Sequence, residues 1–329
     1  MLFDDIIGNE TIKIQLKIAS KAARINNTSV PHILFSGAAG CGKTTMAKAL
    51  AKDLGVDMIK MPPDAIKSAK DIYDLTEHLS VEGYSKYGDV ISKIRPTVLF
   101  LDEIHKMTLG GQESLGIAME EWYVAVKNEW TKEINEFWIP RFTVVGATTL
   151  EGKLSKPLRD RFKFTFPFTT YNLSDSTKIV KIHSKIKEVS ITEGAANLIA
   201  IRGRGVPRIL VGYLERCADM ATVTGKDTIS EDEVKPVFEL MGVDDTGLNL
   251  DDIKLLKTLY KNGSPVGLDT LSVILNQSNK DIQNSREPYL IQRGLIMRSS
   301  RGRVITQEGV EYLRERKHIN SKRRFASHG

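Results

Sequence analysis

The stretch from Pro31 to Met46 constrains this chain most, because it sets a glycine-rich turn between an apolar run and a helical pattern. Ile33 to Phe35 is typical of a buried parallel strand, and the turn after it has the spacing Gly37-x-x-x-x-Gly42-Lys43-Thr44. Glycines let several backbone N–H groups point at one anion, and the following helix presents its positive end to the same place. The pattern predicts a phosphate-binding loop rather than an ordinary strand-to-helix turn.

The residue types in this loop indicate ATP and Mg²⁺. Lys43 supplies a point charge for the β- and γ-phosphates, and the Thr44 hydroxyl is the kind of oxygen ligand that Mg²⁺ prefers. The residues that we expect to bind the nucleotide here are Gly37, Gly40, Gly42, Lys43, Thr44 and Thr45.

Composition narrows the class of protein. With 329 residues, 41% of them hydrophobic and 27% charged, the chain has the make-up of a soluble protein of two or three domains. No apolar run reaches the ~18 residues of a membrane span, and no signal peptide is apparent. Cys41 and Cys217 are too few for a disulfide framework, which favours a reducing, cytoplasmic location. A net charge of +6 permits a polyanionic partner without proving one.

Two acids follow a second apolar run. Thr97 to Leu101 is typical of a buried strand, and Asp102 and Glu103 come directly after it. Alone, this pattern also fits a strand that ends in a solvated acidic turn. Downstream of a phosphate-binding loop it favours a Walker-B arrangement, in which Asp102 serves the Mg²⁺ and Glu103 orients or polarises the attacking water.

A further strand and a short arginine-containing turn come later. Phe142 to Thr149 is apolar and ends in hydroxyls, so Thr149 is a candidate for sensing the γ-phosphate or positioning water. Pro157 to Phe162 carries Arg159 and Arg161, which are either surface charge or a bidentate phosphate contact.

Between these strands, Trp122 to Pro140 has aromatic and β-branched residues on both sides of a polar centre, which predicts a protruding hairpin. It is either an ordinary surface hairpin or a contact for a partner or DNA. The polar segment from Glu82 to Arg95 reads as a loop or insertion.

After Tyr171 the pattern changes to helices with apolar stripes, and Gly203 to Arg208 puts a cation at the start of one of them. Beyond a linker at Gly242 to Gly247, further helices and a basic hairpin at Leu295 to Ile305 predict a winged helix, although a solvated basic turn is the alternative. The basic segment from Arg314 to Arg324 is expected to be disordered.

With these residues in view, the chain resembles the RuvB family of AAA+ motors over nearly its whole length. The resemblance is carried by residues 99–105, 146–149, 157–162 and 287–303, and the last segment is not shared by AAA+ proteins in general. It implies an α/β fold, an AAA+ P-loop domain with an αβα parallel sheet, followed by an all-α lid and a winged-helix domain. The implied bounds are 1–170, 171–243 and 244–318, with a basic tail at 319–329.

The resemblance also implies roles for single residues. By its motifs, Lys43 and Thr44 are the Walker-A pair, Asp102 and Glu103 are the Walker-B pair, and Thr149 is sensor 1. The resemblance makes Arg161 an arginine finger for the neighbouring subunit, Tyr171 an adenine contact and Arg208 sensor 2. It places Arg298, Arg301 and Arg303 on the DNA-binding wing. It further implies ATP-dependent Holliday-junction branch migration by a homo-oligomer, a hexameric ring, on four-way or duplex DNA. A RuvA-like partner would dock on Trp122 to Pro140, and no membrane is involved.

The chain departs from the family pattern at several places. Ala38, Ala39 and Cys41 stand in the loop where the family has Pro, Pro and Leu, while Leu150 and Lys163 replace an Arg and a Gly. The segment around Gly83 to Arg95 is longer than usual, and the hairpin sequence has drifted, which fits a divergent, phage-encoded member. Two other functions remain open: a clamp-loader-like ATPase switch, and a non-motor adaptor that binds ATP and DNA.

Overall fold

The computed structural model describes residues 2–79, 97–127 and 130–319. The chain divides into two compact units, Met1–Tyr171 and Asn172–Gly329. In the described ranges, no helix is long and apolar enough to cross a membrane. The predicted insertion at Gly83 to Arg95 lies outside the described residues, as does the tail from residue 320 onward.

The first unit is built on a parallel sheet of five strands in the order β2-β3-β6-β1-β7. The strands of this unit are β1 (Ile33–Gly37), β2 (Met58–Met61), β3 (Val98–Leu101), β4 (Tyr123–Lys127), β5 (Ile134–Trp138), β6 (Thr143–Thr148) and β7 (Phe164–Phe168). Gly146 of β6 pairs with Leu34 of β1 on one side and with Leu101 of β3 on the other. The carboxyl ends of these three strands therefore meet at one edge of the sheet.

Helices cover both faces of this sheet. They are α1 (Glu10–Asn26), α2 (Lys43–Leu54), α3 (Ala69–Leu79), α4 (Leu109–Glu121) and α5 (Lys156–Asp160). Successive side chains of a strand point to opposite faces, so Phe35 packs with Leu50 of α2 while Leu34 packs in a second core with Leu115 of α4. Burial on both faces explains the continuous apolar runs in the sequence. The predicted αβα sheet is confirmed.

The predicted hairpin is also confirmed: β4 and β5 pair antiparallel, with Tyr123 opposite Trp138. Although Trp122 begins the predicted protruding hairpin, its side chain is not exposed. Its ring is half-buried and meets the Phe142 ring edge-on, with centroids 5.7 Å apart. Trp138 and Trp130 instead are 83% and 93% exposed.

The second unit begins with a helical lid. Its elements are α6 (Leu173–Ile186), β8 (Ser190–Ile191), α7 (Glu193–Arg202), α8 (Pro207–Val223), β9 (Thr228–Ile229) and α9 (Glu231–Leu240). A capping box begins α9, where the Ser230 N–H donates to the Glu233 carboxylate at 2.9 Å.

A winged helix follows in the same unit. Its elements are α10 (Leu250–Asn262), α11 (Leu268–Leu275), α12 (Asn279–Asp281), a π-helical turn (Ile282–Arg286), α13 (Glu287–Gln292), β10 (Ile296–Ser299), β11 (Gly302–Ile305) and α14 (Gln307–Glu315). Leu256, Leu271, Leu290 and Leu313 join one buried core. The expectation of disorder from Arg314 is wrong for its first residues, because Arg314 lies in α14 and Arg316 donates to Asp245 at 2.8 Å.

Candidate functional site

The loop between β1 and α2 has the backbone of an anion cradle. Gly37, Gly40 and Gly42 have φ values of +133°, +82° and +95°, which residues with side chains rarely adopt. At Gly37 a Cβ atom would also lie 2.2 Å from the carbonyl oxygen of Phe168 in β7. Because α2 begins at Lys43, directly after the loop, its free N–H groups and positive dipole end face the same space.

The ammonium group of Lys43 lies inside this curl. It donates to the carbonyl oxygens of Gly37 at 2.7 Å and Ala38 at 2.9 Å, and the residue is 6% exposed. Thr44 and Thr45 follow on the first turn of α2, both half-buried. The loop thus holds a cation and backbone donors together, which fits the phosphates of a nucleotide.

The last residue of the first unit reaches the same loop. The Tyr171 hydroxyl donates to the Cys41 carbonyl oxygen at 3.4 Å, and it would lie 3.4 Å from a Cβ atom at Gly42. Asn9, ahead of α1, donates its amide N–H to the Tyr171 hydroxyl at 2.7 Å. Tyr171 is therefore beside the loop, as its predicted nucleotide contact requires. Asn9 was missed, and its only sequence signal is the turn-forming Gly8-Asn9 pair.

The acidic pair stands at the carboxyl end of β3. Asp102 is 37% exposed, with its carboxylate 3.4 Å from the Lys60 ammonium group. The backbone turns sharply at Glu103, which has φ +53° and a side chain 27% exposed. Asp102 offers a carboxylate and Thr44 a hydroxyl, and both are oxygen ligands suited to Mg²⁺.

Glu103 is held by the neighbouring strand. The Thr149 hydroxyl donates to Glu103 Oε2 at 2.9 Å, and His105 Nδ1 lies 3.3 Å from the same oxygen. His105 Nδ1 is also 2.9 Å from the hydroxyl of the buried Thr148. The structure thus brings the predicted base and the predicted sensor together. His105 was not singled out, although it lies within the motif at 99–105.

Arg161 occupies a different face of this unit. Its guanidinium group pairs with Glu120 of α4 at 2.6 Å and donates to the Pro157 carbonyl oxygen at 2.8 Å. Its Nε atom is buried and has no hydrogen-bond partner among the described residues. These contacts are with α4 and α5 and not with the phosphate-binding loop.

In the second unit, Arg208 is exposed at the second position of α8. On the wing, Arg301 is exposed at the hairpin turn, and Arg298 has a side chain 52% exposed. Arg303 differs, because its side chain is 13% exposed and donates to Glu287 at 2.6 Å. Of the three arginines that the resemblance assigns to DNA, Arg303 therefore faces a carboxylate of its own domain.

Glu287 explains this difference. It is fully buried, and both Arg298 and Arg303 bind its carboxylate, at 2.5 Å and 2.6 Å. A buried carboxylate needs such partners, because an unpaired charge away from water is costly. Two of the three wing arginines therefore form ion pairs within the winged-helix domain.

These features define the class of protein: a P-loop ATPase of the AAA+ type, with a nucleotide cradle, a Walker-B pair, a helical lid and a winged helix in one chain. Comparison with known proteins agrees with this class. Three family models match the chain: "Holliday junction DNA helicase RuvB P-loop domain" at residues 1–168, "RuvB AAA lid domain" at 171–244 and "RuvB C-terminal winged helix domain" at 245–314. The chain belongs to the RuvB family.

Individual relatives are similar over most of their length. The Holliday junction branch migration complex subunit RuvB of Streptococcus uberis is 38% identical over 315 residues, which are 94% of this chain and 90% of that protein. Its counterpart in Streptococcus thermophilus is 37% identical over 316 residues, with the same coverage. A variant of Thermotoga maritima RuvB has a solved structure that superimposes with a TM-score of 0.82 at 33% identity, covering 95% of this chain and 97% of that one.

Proposed function

We propose that this chain is an ATP-driven DNA motor subunit that moves Holliday junctions by branch migration. The observation that carries the proposal is the 2.9 Å bond between Thr149 and Glu103, beside Asp102 and next to the phosphate-binding loop. A protein that only binds ATP needs no carboxylate held in this way. The same chain carries a winged helix, and its relatives are named as branch migration subunits.

For nucleotide binding, we assign the phosphates to the loop from Gly37 to Thr45 and the base to the neighbourhood of Tyr171. Lys43 would exchange its bonds to two loop carbonyls for phosphate oxygens. Thr44 and Asp102 would hold Mg²⁺, which supplies neutralisation of phosphate charge when bound. The residues present fit this ion, because both offer oxygen ligands.

For hydrolysis, we assign Glu103 to orient the attacking water and Thr149 to fix the carboxylate. We assign Arg161 to the nucleotide of a neighbouring subunit, because within its own chain it faces Glu120. Such an arginine finger accelerates phosphoryl transfer by about 10³–10⁵-fold in other ATPases and GTPases. This role requires an oligomer in which the nucleotide lies between subunits, and we propose a hexameric ring.

For the other parts of the chain, we propose a nucleotide-binding domain at 1–170, a lid at 171–243, a winged helix at 244–318 and a tail at 319–329. Arg208 of the lid would act as sensor 2. Arg301 and Arg298 would contact DNA phosphates, whereas Arg303 would shape the wing through Glu287. Because the relatives act on DNA as part of a complex, we also propose a cytoplasmic location.

We propose that the hairpin from Trp122 to Pro140 docks a RuvA-like partner. Trp130, Ile134 and Trp138 are 93%, 69% and 83% exposed, and tryptophan is enriched among the residues that dominate binding energy. Several exposed large apolar side chains on one hairpin favour a protein partner over DNA.

Branch migration of a synthetic four-way junction tests the proposal against its two alternatives. The wild type is expected to separate the junction with ATP and Mg²⁺, most efficiently with a RuvA, while Glu103→Gln is expected to bind the junction without moving it. A clamp-loader-like switch would hydrolyse ATP without migration. A non-motor adaptor would bind DNA with the same low ATP turnover in the wild type and Glu103→Gln.

A further inference from the structure

The connection between lid and winged helix, residues 243–249, is tied down by side chains from both sides. Asp244 accepts hydrogen bonds from the N–H groups of Thr246 and Leu248 at 2.8 Å and 2.9 Å. Leu248 is fully buried in the winged-helix core. The Tyr289 hydroxyl donates to the Thr246 carbonyl oxygen at 2.6 Å. This segment is therefore a fixed joint within the second unit and not a loose tether.

One lid residue, Arg204, binds the middle of this connection. The guanidinium group of Arg204 donates through Nε and Nη2 to the Gly247 carbonyl oxygen, at 2.7 Å and 2.5 Å. It also pairs with Asp252 in the first turn of α10, and it stacks 4.5 Å from the centre of the Tyr289 ring. Arg204 thus binds the connection, α10 and α13 at once.

The ion pair between Arg204 and Asp252 is buried, unlike an ordinary surface ion pair. The side chain of Arg204 is 8% exposed and Asp252 is fully buried. Arg204 also has φ +56°, a left-handed conformation that is uncommon outside glycine.

Arg204 lies close in the chain to Arg208, the residue assigned to sense nucleotide. It lies in the loop that leads into α8, and Arg208 stands at the second position of that helix. Gly203 and Val206 close this loop with a 3.0 Å backbone hydrogen bond, so the segment between the two arginines is short and stiff. Arg204, which contacts the winged helix, is therefore joined to Arg208 through this closed turn.

We propose that Arg204 is the positioning residue that couples the DNA-binding wing to the nucleotide-sensing end of α8. The inference rests on the proposed function, because it assumes that Arg208 responds to nucleotide. DNA at the wing shifts the end of α8 that carries Arg208, and nucleotide shifts the wing by the same coupling free energy, since linkage is reciprocal for binding.

The test separates coupling from stability. Arg204→Met alone leaves the buried Asp252 with only a longer ion pair, to Arg286 at 3.6 Å, which is destabilising. Arg204→Met with Asp252→Asn removes that charge while the amide oxygen can still accept from the Asn249 N–H, a bond that is 3.0 Å long here. Arg202→Met is the matched control, because the Arg202 guanidinium group lies over the Phe238 ring and donates to the Leu198 carbonyl oxygen, both within the lid.

Three quantities are measured on the assembled protein with duplex DNA: thermal stability, the ratio of ATP hydrolysis with and without DNA, and amide hydrogen exchange at residues 243–249. The double variant is expected to regain much of the thermal stability lost by Arg204→Met. Its stimulation by DNA is expected to fall about fivefold or more, as for a typical coupling free energy. Exchange at Thr246 and Leu248 is expected to rise in both Arg204 variants and not in Arg202→Met.

A stable double variant with full DNA stimulation would overturn the inference, as would an equal loss of stimulation in Arg202→Met. Arg204→Lys, which keeps the charge but loses the planar fork, is expected to retain stability and only part of the stimulation. A wild type without DNA stimulation would instead refute the proposed function. In that case the hydrogen-exchange comparison still decides whether Arg204 fixes the joint.

Discussion

The hydroxyl of Thr149 donates to the carboxylate of Glu103 across the ends of two neighbouring strands, at 2.9 Å. The bond joins the residue assigned to activate water with the residue assigned to sense the γ-phosphate. Any shift of the end of β6 therefore moves the carboxylate as well. Mutation of each residue in turn can separate the activation of water from the positioning of the carboxylate.

Thr149→Val is expected to retain ATP binding and to lose hydrolysis, because Glu103 loses the donor that orients it. Glu103→Gln is expected to reduce turnover by about 10²–10⁴-fold, the usual contribution of a positioned acid or base. Thr149→Ser keeps the hydroxyl and is expected to restore most of the rate.

Lys43→Ala is expected to lose ATP binding itself. Single-turnover hydrolysis and nucleotide affinity separate these effects, and wild-type turnover in Glu103→Gln would remove it from the reaction.

Arg161→Ala is expected to bind ATP and hardly hydrolyse it. In mixed assemblies with Lys43→Ala, part of the activity is expected to return, because each variant supplies the group that the other lacks. The measurement is steady-state ATP hydrolysis over a range of mixing ratios. Co-assembled rings that show no recovery would count against action on a neighbouring subunit.

Trp130→Ala with Trp138→Ala is expected to leave basal ATP hydrolysis unchanged and to weaken binding of a RuvA-like partner. Truncation of two exposed aromatic anchors typically costs at least about 2 kcal/mol, or roughly 30-fold in Kd. Trp122→Ala is the contrasting variant, because its ring packs on Phe142 and its loss is expected to lower the melting temperature. Unchanged partner affinity in the double variant would exclude the hairpin as the docking site.

The wing arginines are expected to differ in their salt dependence. Arg301→Ala removes an exposed cation and is expected to reduce the log–log salt slope of duplex binding by about 0.9. Arg303→Ala instead leaves the buried Glu287 with Arg298 alone, and it is expected to destabilise the winged helix. Salt titrations and thermal melts of both variants distinguish the roles. An equal loss of slope with no loss of stability in Arg303→Ala would return it to the DNA interface.

The stability of the first unit is expected to depend on His32. Burial lowers the pKa of this histidine from 6.5 to about 4, and its Nδ1 accepts the Val144 N–H at 3.0 Å, which requires the neutral ring. The unfolded chain therefore binds the proton more readily. The stability contribution of His32 is fully present above pH 6.5 and is lost as the pH falls toward 4, a loss on the order of 3 kcal/mol. Thermal melts of wild type and His32→Asn between pH 7.5 and 4.5 test this, and parallel pH dependences would contradict it.

The sequence predicted the parts of the fold that short contiguous patterns specify. The phosphate-binding loop, the strand before Asp102 and the wing hairpin each combine an apolar run with a chemically distinctive turn. β7 was not predicted, since Phe164–Phe168 contains Pro167, which a strand tolerates at a sheet edge such as this one. The final helix α14 also went unrecognised.

The site contacts that were missed depend on distance along the chain. Asn9 and Tyr171 are 162 positions apart, so no local pattern reveals that they meet. Glu287 reads as an ordinary charged residue, and only the fold shows that it is buried against Arg303. The chemical role of a single residue could be predicted from its type and motif, whereas the residues that it contacts could be identified only from the tertiary structure.

The hairpin formed by β4 and β5 is closed at its base. At the base, the Ile139 N–H donates to the Trp122 carbonyl oxygen at 3.0 Å, and the Trp122 ring is anchored on Phe142. Trp138, beyond that closure, faces solvent. Because the contacts that tie the hairpin to the rest of the unit lie at its base, we expect the residues beyond them to tolerate exchange for those of a relative with little effect on ATP hydrolysis.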